Sequence, residues 1–412
     1  MGKQINRNKE RAVHQTAASA RRFRVGIRMP DWTIGFATRL FEGLADHQRR
    51  HGVFELHFDQ PSGGDLPPAP VDESWEGDGL LVFRHTAEEA RAWKRRGIQV
   101  VNLSSEFPAS GPRFPQVTVD NEEVGRMAAG HLLSLGLRDF AFVEEPARRY
   151  SAERLAGFQE GIATVDSRLT LIEVPASSFP ASSRASRIAR ILESALARLP
   201  KPCGIFCKDD IAAVLALRAL SAVGRSCPDD VAVLGFSDDL VFCHMTTPGL
   251  SSIPFPGREI GLAGADLLHR MLSGESVPKE HRVRIAPLPL ACRDSTGQVL
   301  LDDAVVTSAL RLIREHAATG PYAVEDLAKQ VGVSRELLRQ RFHQTIGRSP
   351  KQEVDRVRMR ALCDGLRFDY TSLDKLAENL GFPGSDELCR FFRRRQGMTP
   401  GEYRRHWTGS GV

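Results

Sequence analysis

The sequence predicts a two-lobed α/β body with parallel sheets, followed by an all-α domain that contains two helix-turn-helix motifs. Over the first three hundred residues, short apolar runs alternate with amphipathic runs, which is typical of parallel strands covered by helices. Nearer the C-terminus, one helical pattern occurs twice, about fifty residues apart. At 412 residues the chain is too long for one ordinary core, so two or three domains are expected.

The α/β part contains eight candidate strands and six candidate helices. The predicted strands cover 24–27, 54–58, 79–83, 99–102, 139–143, 169–174, 204–207 and 231–235. The predicted helices cover 35–50, 87–96, 121–135, 154–163, 183–198 and 211–223. So many strands exceed a single small sheet, and we therefore expect two lobes with a ligand cleft between them.

The repeated C-terminal pattern predicts the two helix-turn-helix motifs. The first copy contains Leu327-Ala328, Gly332, Phe342 and Ser349-Pro350, and the second contains Leu376-Ala377, Gly381, Phe391-Phe392 and Thr399-Pro400. Each copy is a short apolar helix, a glycine turn and a second helix with basic residues, which is the order of a helix-turn-helix. A pair of them favours a DNA-binding domain.

The charge distribution supports this interpretation. Residues 304–412 hold 19 Lys and Arg against 13 Asp and Glu, whereas residues 1–303 hold 37 against 38. The positive excess therefore lies in the segment with the repeated motif, as expected for a module that binds phosphates. We expect the basic first 22 residues to form a flexible tail.

Other function classes lack support in the sequence. There is no GxSxG, phosphate loop, HExxH or GxGxxG after a strand, so neither catalysis nor a cofactor is expected. The seven cysteines form no CxxC and no set with zinc spacing, which favours reduced thiols in the cytoplasm. No apolar run approaches the roughly 20 residues of a membrane span.

Several strings resemble known families. Val117-Thr118-Val119-Asp120-Asn121, Arg154-Leu155-Ala156-Gly157-Phe158 and the run from Pro228 to Phe236 resemble LacI/GalR-type, periplasmic-binding-protein-like sensor domains. Gly381-Phe382, Phe391-Phe392-Arg393 and Thr399-Pro400 resemble the AraC/XylS helix-turn-helix signature. A sensor of the first kind ahead of a DNA-binding domain of the second is the layout of the family of xylose operon regulators.

The resemblance implies domain boundaries and partners. The sensor would cover 23–296, and the DNA-binding domain 297–412. The chain would cross between the two lobes near residues 116–119, 245–247 and 274–279. One lobe would then contain residues 23–117 and 247–275, and the other residues 118–245 and 277–294. The implied partners are an operator in double-stranded DNA, a sugar or sugar-acid effector, RNA polymerase and a second copy of the chain.

The resemblance also selects effector-binding candidates. Arg154 occupies the position of the family's sugar-binding arginine, and Asp209 matches a family aspartate. Lys208 and Ser237 stand where relatives commonly carry Asn and Asp, which would remove a carboxylate and add a cation beside Arg154. This change favours an acidic sugar such as a uronate. A neutral sugar such as xylose remains an alternative, because Asp238 could replace the missing carboxylate after a one-residue shift. Trp32 and Phe36 could stack on a sugar or belong to the core.

Two recognition helices are predicted, at 334–345 and 385–395, joined by a helix at 350–367. Leu337, Leu338 and Phe342 have the spacing of core residues in the first. The resemblance to the AraC/XylS signature implies which residues face the DNA: Arg335, Glu336, Arg339 and Gln340 in the first helix and Ser385, Asp386, Cys389 and Arg390 in the second, with Arg393, Arg394 and Arg395 at phosphates.

These features predict an effector-responsive transcription factor, which we expect to activate a carbohydrate-utilisation operon. The alternative is a carbohydrate enzyme with an appended helical domain, which would need paired catalytic carboxylates such as Glu144 and Glu145. Adjacent residues on a strand point in opposite directions, which disfavours that alternative. An architectural or RNA-binding protein would have no need of a sensor.

Overall fold

The computed structural model describes residues 22–29, 35–58, 71–175, 181–297, 303–317, 322–368 and 372–408. Up to residue 297, the elements in chain order are β1 (Phe23–Arg28), α1 (Gly35–His51), β2 (Phe54–Phe58), β3 (Gly79–Val82), α2 (Ala87–Arg95), β4 (Gln99–Asn102), β5 (Gln116–Val119), α3 (Asn121–Ser134), β6 (Asp139–Glu144), α4 (Arg149–Ile162), β7 (Arg168–Glu173), α5 (Ala181–Leu196), β8 (Cys203–Cys207), α6 (Asp210–Ala222), β9 (Val231–Ser237), α7 (Leu240–His244), β10 (Ser251–Pro254), α8 (Gly257–Leu272) and β11 (Arg282–Ile285). Later helices are α9 (Ala304–Ala317), α10 (Val324–Gln330), α11 (Arg335–Ile346), α12 (Pro350–Phe368), α13 (Leu373–Asn379), α14 (Ser385–Gln396) and α15 (Pro400–Thr408).

The first structural unit contains the described residues up to Asp120 together with Phe255–Pro287. Its six strands form a parallel sheet in the order β11-β5-β4-β3-β1-β2. Helices α1 and α8 pack closely at Gly43 and Gly261. A Cβ atom added to Gly43 would lie 2.0 Å from the carbonyl oxygen of Arg258, and one added to Gly261 would lie 2.1 Å from the carbonyl oxygen of Leu40. Glycine is therefore required where these helices meet.

The second unit contains Asn121–Pro254 and the described residues from Leu288 onward. Its five-stranded sheet is also parallel, in the order β10-β9-β8-β6-β7. Here α3 and α4 approach through Gly125 and Gly157, where added Cβ atoms would lie 2.2 Å from the carbonyl oxygen of Arg154 and 1.9 Å from that of Glu122. This close packing sets the position of Arg154 relative to the start of α3.

The predicted parallel-sheet architecture is confirmed, but the predicted lobe boundaries are wrong. Strand β5 lies wholly in the first sheet, and β10 pairs with β9, so the chain passes between units at Asp120–Asn121 and again at Pro254–Phe255. Strand β11 pairs with β5 rather than with the second sheet. The strands β10 and β11 are only four residues long, and their local sequence does not specify which sheet they join.

The C-terminal helices surround two hydrophobic cores that share α12. The first core contains Leu338 and Phe342 of α11 and Val354 of α12, and the second contains Leu362 of α12 and Phe392 of α14. The 19 residues of α12 span about 28 Å at the rise of an α-helix. The all-α domain with two helix-turn-helix motifs is as predicted.

The core prediction for Leu337 is wrong, because 38% of this side chain is exposed. It precedes Leu338 on α11 and therefore points away from the face that Leu338 and Phe342 share. Among the described residues, no helix combines the length and apolar character needed to cross a membrane.

Candidate effector site and DNA-binding surface

Arg154 lies on α4 with its guanidinium held on several sides. Its Nε donates to Oδ1 of Asn121 at 2.9 Å, and its Nη1 donates to the main-chain carbonyl of Lys208. Its Cζ lies 3.6 Å from the ring centroid of Phe236. Burial lowers the pKa of Arg154 to about 10, so the group remains a cation at neutral pH. Because the two bonds use two of its five N–H donors, the oriented guanidinium keeps donors for a ligand.

Lys208 follows β8 and is buried among acidic groups. Its Nζ contacts Oδ2 of Asp209, lies 3.2 Å from Oε2 of Glu145 and donates to the hydroxyl of Tyr150 at 3.2 Å. Burial alone would lower the pKa of Lys208, but Asp209 and the other neighbours raise it. The predicted cation therefore lies beside Arg154, but two carboxylates, Glu145 and Asp209, balance its charge.

Asp209 stays close to the predicted site and also stabilises α6. Its Oδ1 accepts a hydrogen bond of 2.8 Å from the amide of Ala212, as an N-cap residue does. Burial would raise the pKa of Asp209, but Lys208 outweighs that effect and lowers it. Asp209 is therefore an ionised carboxylate with a fixed orientation.

Ser237 and Asp238 lie where β9 ends, in backbone conformations that are rare for residues other than glycine. Their φ angles are 121° and 54°. The carboxylate of Asp238 lies beside Arg293, the Nη2 of which is 2.6 Å from Oδ1 of Asp238, and both side chains are buried. The strained turn thus directs Asp238 toward Arg293.

The aromatic candidates have different outcomes. Trp32 lies outside the described residues. Phe36 belongs to the first unit, where its ring centroid lies 4.9 Å from that of Phe83 and 5.9 Å from that of Phe255. These ring contacts give Phe36 a packing role within its own unit.

The structure thus brings Arg154, Lys208 and Asp209 together, with Ser237 at the end of the neighbouring strand β9. The carboxyl ends of parallel strands are where open α/β sheets bind ligands. Sequence reasoning missed Tyr150, and it named Glu145 only as a candidate catalytic carboxylate and not as part of the effector site. Glu145 directly follows β6, a position that could have identified it as a candidate, whereas the contact between Tyr150 and Lys208 spans 58 residues of sequence.

The first recognition helix presents its predicted residues to solvent. Arg335, Glu336, Arg339 and Gln340 are all exposed. Arg335 forms an ion pair of 2.5 Å with Glu325 of α10, and Arg339 donates to both carboxylate oxygens of Glu336, at 3.1 and 2.7 Å. These pairs orient the two arginines. The exposed Leu337 lies among them, and an apolar side chain there suits the methyl group of thymine.

The second recognition helix exposes a smaller share of its predicted DNA-binding residues than the first. Asp386, Arg390, Arg393 and Arg394 are exposed, whereas Ser385 and Cys389 are half-buried. Cys389 packs against the second core, and burial raises the pKa of its thiol. The phosphate role proposed for Arg395 is not supported, because this residue donates to Asp355 at 2.6 Å and its guanidinium carbon lies 4.1 Å from the ring centroid of Phe391.

Two parts of the chain match known families. Residues 129–296 match the family described as periplasmic binding protein-like domain, and residues 327–406 match the family described as helix-turn-helix domain. The xylose operon regulatory protein of Escherichia coli K12 is 25% identical over 340 residues, which cover 81% of this chain and 85% of that protein. Its counterpart from Haemophilus influenzae is 27% identical over 299 residues, covering 71% and 75%.

Solved structures agree on the fold. The structure of a xylose-binding transcription activator superposes with a TM-score of 0.58 and 23% identity, covering 93% of this chain and 98% of that one. A complex of the regulator CelR with cellobiose superposes with a TM-score of 0.53 and 22% identity, covering 69% and 89%.

Together, the matches and the two helix-turn-helix motifs define the class of protein: a DNA-binding transcriptional regulator and not an enzyme. More particularly, it joins an AraC-type helix-turn-helix domain to a periplasmic-binding-protein-like sensor domain, and it resembles the xylose operon regulatory proteins over most of their length.

Proposed function

We propose that the sensor domain binds a neutral sugar through Arg154 and its neighbours, and that binding changes how a cytoplasmic homodimer occupies operator DNA and recruits RNA polymerase. The sensor would occupy the described residues from 22 to about 296, after a basic N-terminal tail, and the DNA-binding domain would follow it. The sugar is proposed from the relatives, because the two similar regulators from Escherichia coli and Haemophilus influenzae are named for the xylose operon.

The charge balance around Arg154 carries the choice of a neutral sugar. Three cations, Arg148, Arg154 and Lys208, lie near three carboxylates, Glu145, Glu153 and Asp209, and these include the pairs of Arg148 with Glu145 and of Lys208 with Asp209. A uronate would add a fourth carboxylate to this balanced set and would lose its hydration, which is costly. Hydroxyl groups, in contrast, both donate and accept, so they fit a surface with donors on Arg154 and acceptors on Asp209.

A thermal-shift screen tests the class of effector. The purified chain would be heated with pentoses, hexoses, disaccharides, uronates and sugar phosphates. A ligand at 100 times its dissociation constant stabilises the folded chain by about 2.7 kcal/mol, which raises the melting temperature. We expect neutral sugars alone to do so, and stabilisation by uronates alone would reject the charge-balance argument.

A second experiment tests the regulatory role. Operator sequences would be selected from random duplex DNA with the full chain, and their affinity measured by fluorescence anisotropy with and without the sugar found in the screen. We expect a change in affinity of about 5- to 150-fold, which corresponds to about 1–3 kcal/mol and is the usual range of coupling between two sites. An affinity that is unchanged by a bound sugar would contradict the proposal.

A further inference from the structure

Four potential metal ligands meet where α1 and α8 pack in the first unit. His47 and His51 are four residues apart on α1, and Asp266 and His269 are three apart on α8, so each pair lies on one face of its helix. One ligand atom from each of His47, His51 and Asp266 lies within 4.8 Å of the other two. The ring of His269 lies 5.3 Å from those of His47 and His51, centroid to centroid.

The helices that carry these groups are held at short range. The contacts at Gly43 and Gly261 described above allow the two backbones to approach more closely than larger residues would permit. Because backbone contacts set the distance between the two helices, this distance cannot easily change when one histidine side chain rotates. The four side chains therefore face each other on a rigid support, which is what a preorganised metal site requires.

His47 is the most unusual member of the group. Its side chain has no solvent exposure and stacks on Phe54, with ring centroids 4.7 Å apart and an angle of 20° between the rings. Among the described residues neither ring nitrogen has a hydrogen-bond partner, and Nε2 lies 3.6 Å from Oδ1 of Asp266. Leaving a buried polar atom without a partner costs free energy. A bound cation would satisfy one of these nitrogens.

We propose that His47, His51 and Asp266 bind a divalent transition metal of the zinc class, with His269 or a water molecule in the fourth position. Two imidazoles and a carboxylate are donors that Zn²⁺ accepts, and they disfavour Mg²⁺ and Ca²⁺, which prefer oxygen ligands alone. Tetrahedral coordination at about 2.1 Å places ligand atoms roughly 3.4 Å apart. The exposed His51 and the half-buried Asp266 would have to rotate to close the difference from the present separation of up to 4.8 Å.

The metal would connect α1 to α8, which are separated by more than 200 residues of sequence. It would therefore stabilise the first unit independently of the effector candidates Arg154 and Lys208, which lie in the second unit. The site is solvent-accessible through His51, so a metal can reach it without local unfolding.

The test uses the full chain after treatment with a chelator. Zn²⁺ affinity and stoichiometry would be measured by competition with a chromophoric chelator, and Co²⁺ would be added separately because its visible spectrum reports the coordination geometry. We expect one tight site per chain, a four-coordinate Co²⁺ spectrum and a rise in melting temperature with Zn²⁺. The variants His51→Ala and Asp266→Asn should each weaken Zn²⁺ binding at least about 100-fold, since even changes behind the ligands cost 10- to 100-fold.

His57→Ala is the matched control. His57 lies in the same unit and pairs with Glu55 at 3.1 Å, but the group of candidate ligands does not include it. The control should keep the affinity, the spectrum and the rise in melting temperature. Equal Zn²⁺ affinity in the original chain and in the folded variants His51→Ala and Asp266→Asn would mean an adventitious ion only, bound elsewhere, and would overturn the proposal. Because both changes are at accessible positions, circular dichroism should show that the variants fold.

Discussion

Arg348 of the helix-turn-helix domain donates a hydrogen bond of 2.7 Å from Nη1 to the main-chain carbonyl of Ser134, the last residue of α3. The Nε of Arg348 also donates to Glu353 at 2.6 Å, at the start of α12. At its other end, α3 begins with Asn121, the side chain of which accepts a hydrogen bond from Arg154. A single helix thus connects the proposed effector site to the helix that joins the two recognition motifs.

This connection predicts that Arg348→Ala weakens the coupling between effector and DNA. The variant should bind effector and DNA separately with nearly unchanged affinity, because Arg348 belongs to neither proposed surface. The effect of the effector on DNA affinity should fall by about 0.5–2 kcal/mol, the range seen for residues that transmit coupling. Anisotropy titrations with and without effector measure it. Arg311→Ala, which breaks an exposed pair with Glu315 within the same domain, should leave the coupling intact.

Removal of the Arg154 guanidinium should strongly weaken effector binding. We expect Arg154→Ala to weaken sugar binding by about 2–5 kcal/mol, which is 30-fold or more, because a buried charged donor is lost. Arg154→Lys should recover little, since an ammonium cannot make the planar bonds of a guanidinium. Calorimetry measures both affinities. The control is Arg126→Ala, which removes a half-buried arginine of α3 that is paired with Glu123 and Glu160. An equal loss there would contradict a local role for Arg154.

Two exposed residues of the recognition helices, Gln340 and Arg394, should have different roles in DNA binding. Gln340→Ala should reduce discrimination at one base pair by about 1–3 kcal/mol, because glutamine reads adenine through two hydrogen bonds. Arg394→Ala should weaken binding to all sequences similarly and lower the salt dependence by about one phosphate contact. Affinities for single-base operator variants at several salt concentrations separate the two effects, and a sequence-specific loss for Arg394→Ala would show that our assignment is wrong.

The neighbouring leucines of α11 should contribute very differently to stability. Leu338→Ala should lower the free energy of unfolding by about 2–5 kcal/mol, because Leu338 is fully buried in the first helical core. Leu337→Ala should stay within about 0.5 kcal/mol, because that side chain is already 38% exposed. Hydrogen exchange of α11 amides in the full chain measures both. If Leu337 contacts a thymine methyl group, its variant should lose DNA affinity without losing stability.

Glu353 predicts a pH dependence in the helix-turn-helix domain. Burial would raise the pKa of Glu353, but Arg356 and Arg348 outweigh it and lower the pKa from 4.5 to about 2. Because the pKa of Glu353 is lower in the folded chain than in the unfolded chain, its ionised carboxylate stabilises the folded state. This contribution is fully present above about pH 4.5 and is lost as the pH falls toward 2. The full loss should amount to roughly 3 kcal/mol, of which roughly half falls between pH 5 and pH 3. Hydrogen exchange of α12 amides between pH 5 and pH 3 should show it, and Glu353→Gln should flatten the profile, whereas the exposed Glu315→Gln should not.

Local sequence patterns were sufficient for the elements and for the class of protein. The strands 54–58 and 99–102 and the recognition helices were predicted to within one or two residues, because periodicity and turn residues act over short distances. The repeated helix-turn-helix pattern predicted a DNA-binding domain for the same reason: each motif is complete within about twenty-five residues of sequence.

The tertiary structure alone decided the properties that depend on distant neighbours. It placed β10 in the second sheet and β11 in the first, paired Lys208 with Glu145, turned Asp238 toward Arg293 and brought Asp266 to His47. Each of these contacts joins residues from separate elements, and its energy depends on burial and distance that no local pattern encodes. The charge of a binding surface is a sum over such neighbours, which is why the sequence suggested an acidic sugar whereas we propose a neutral one.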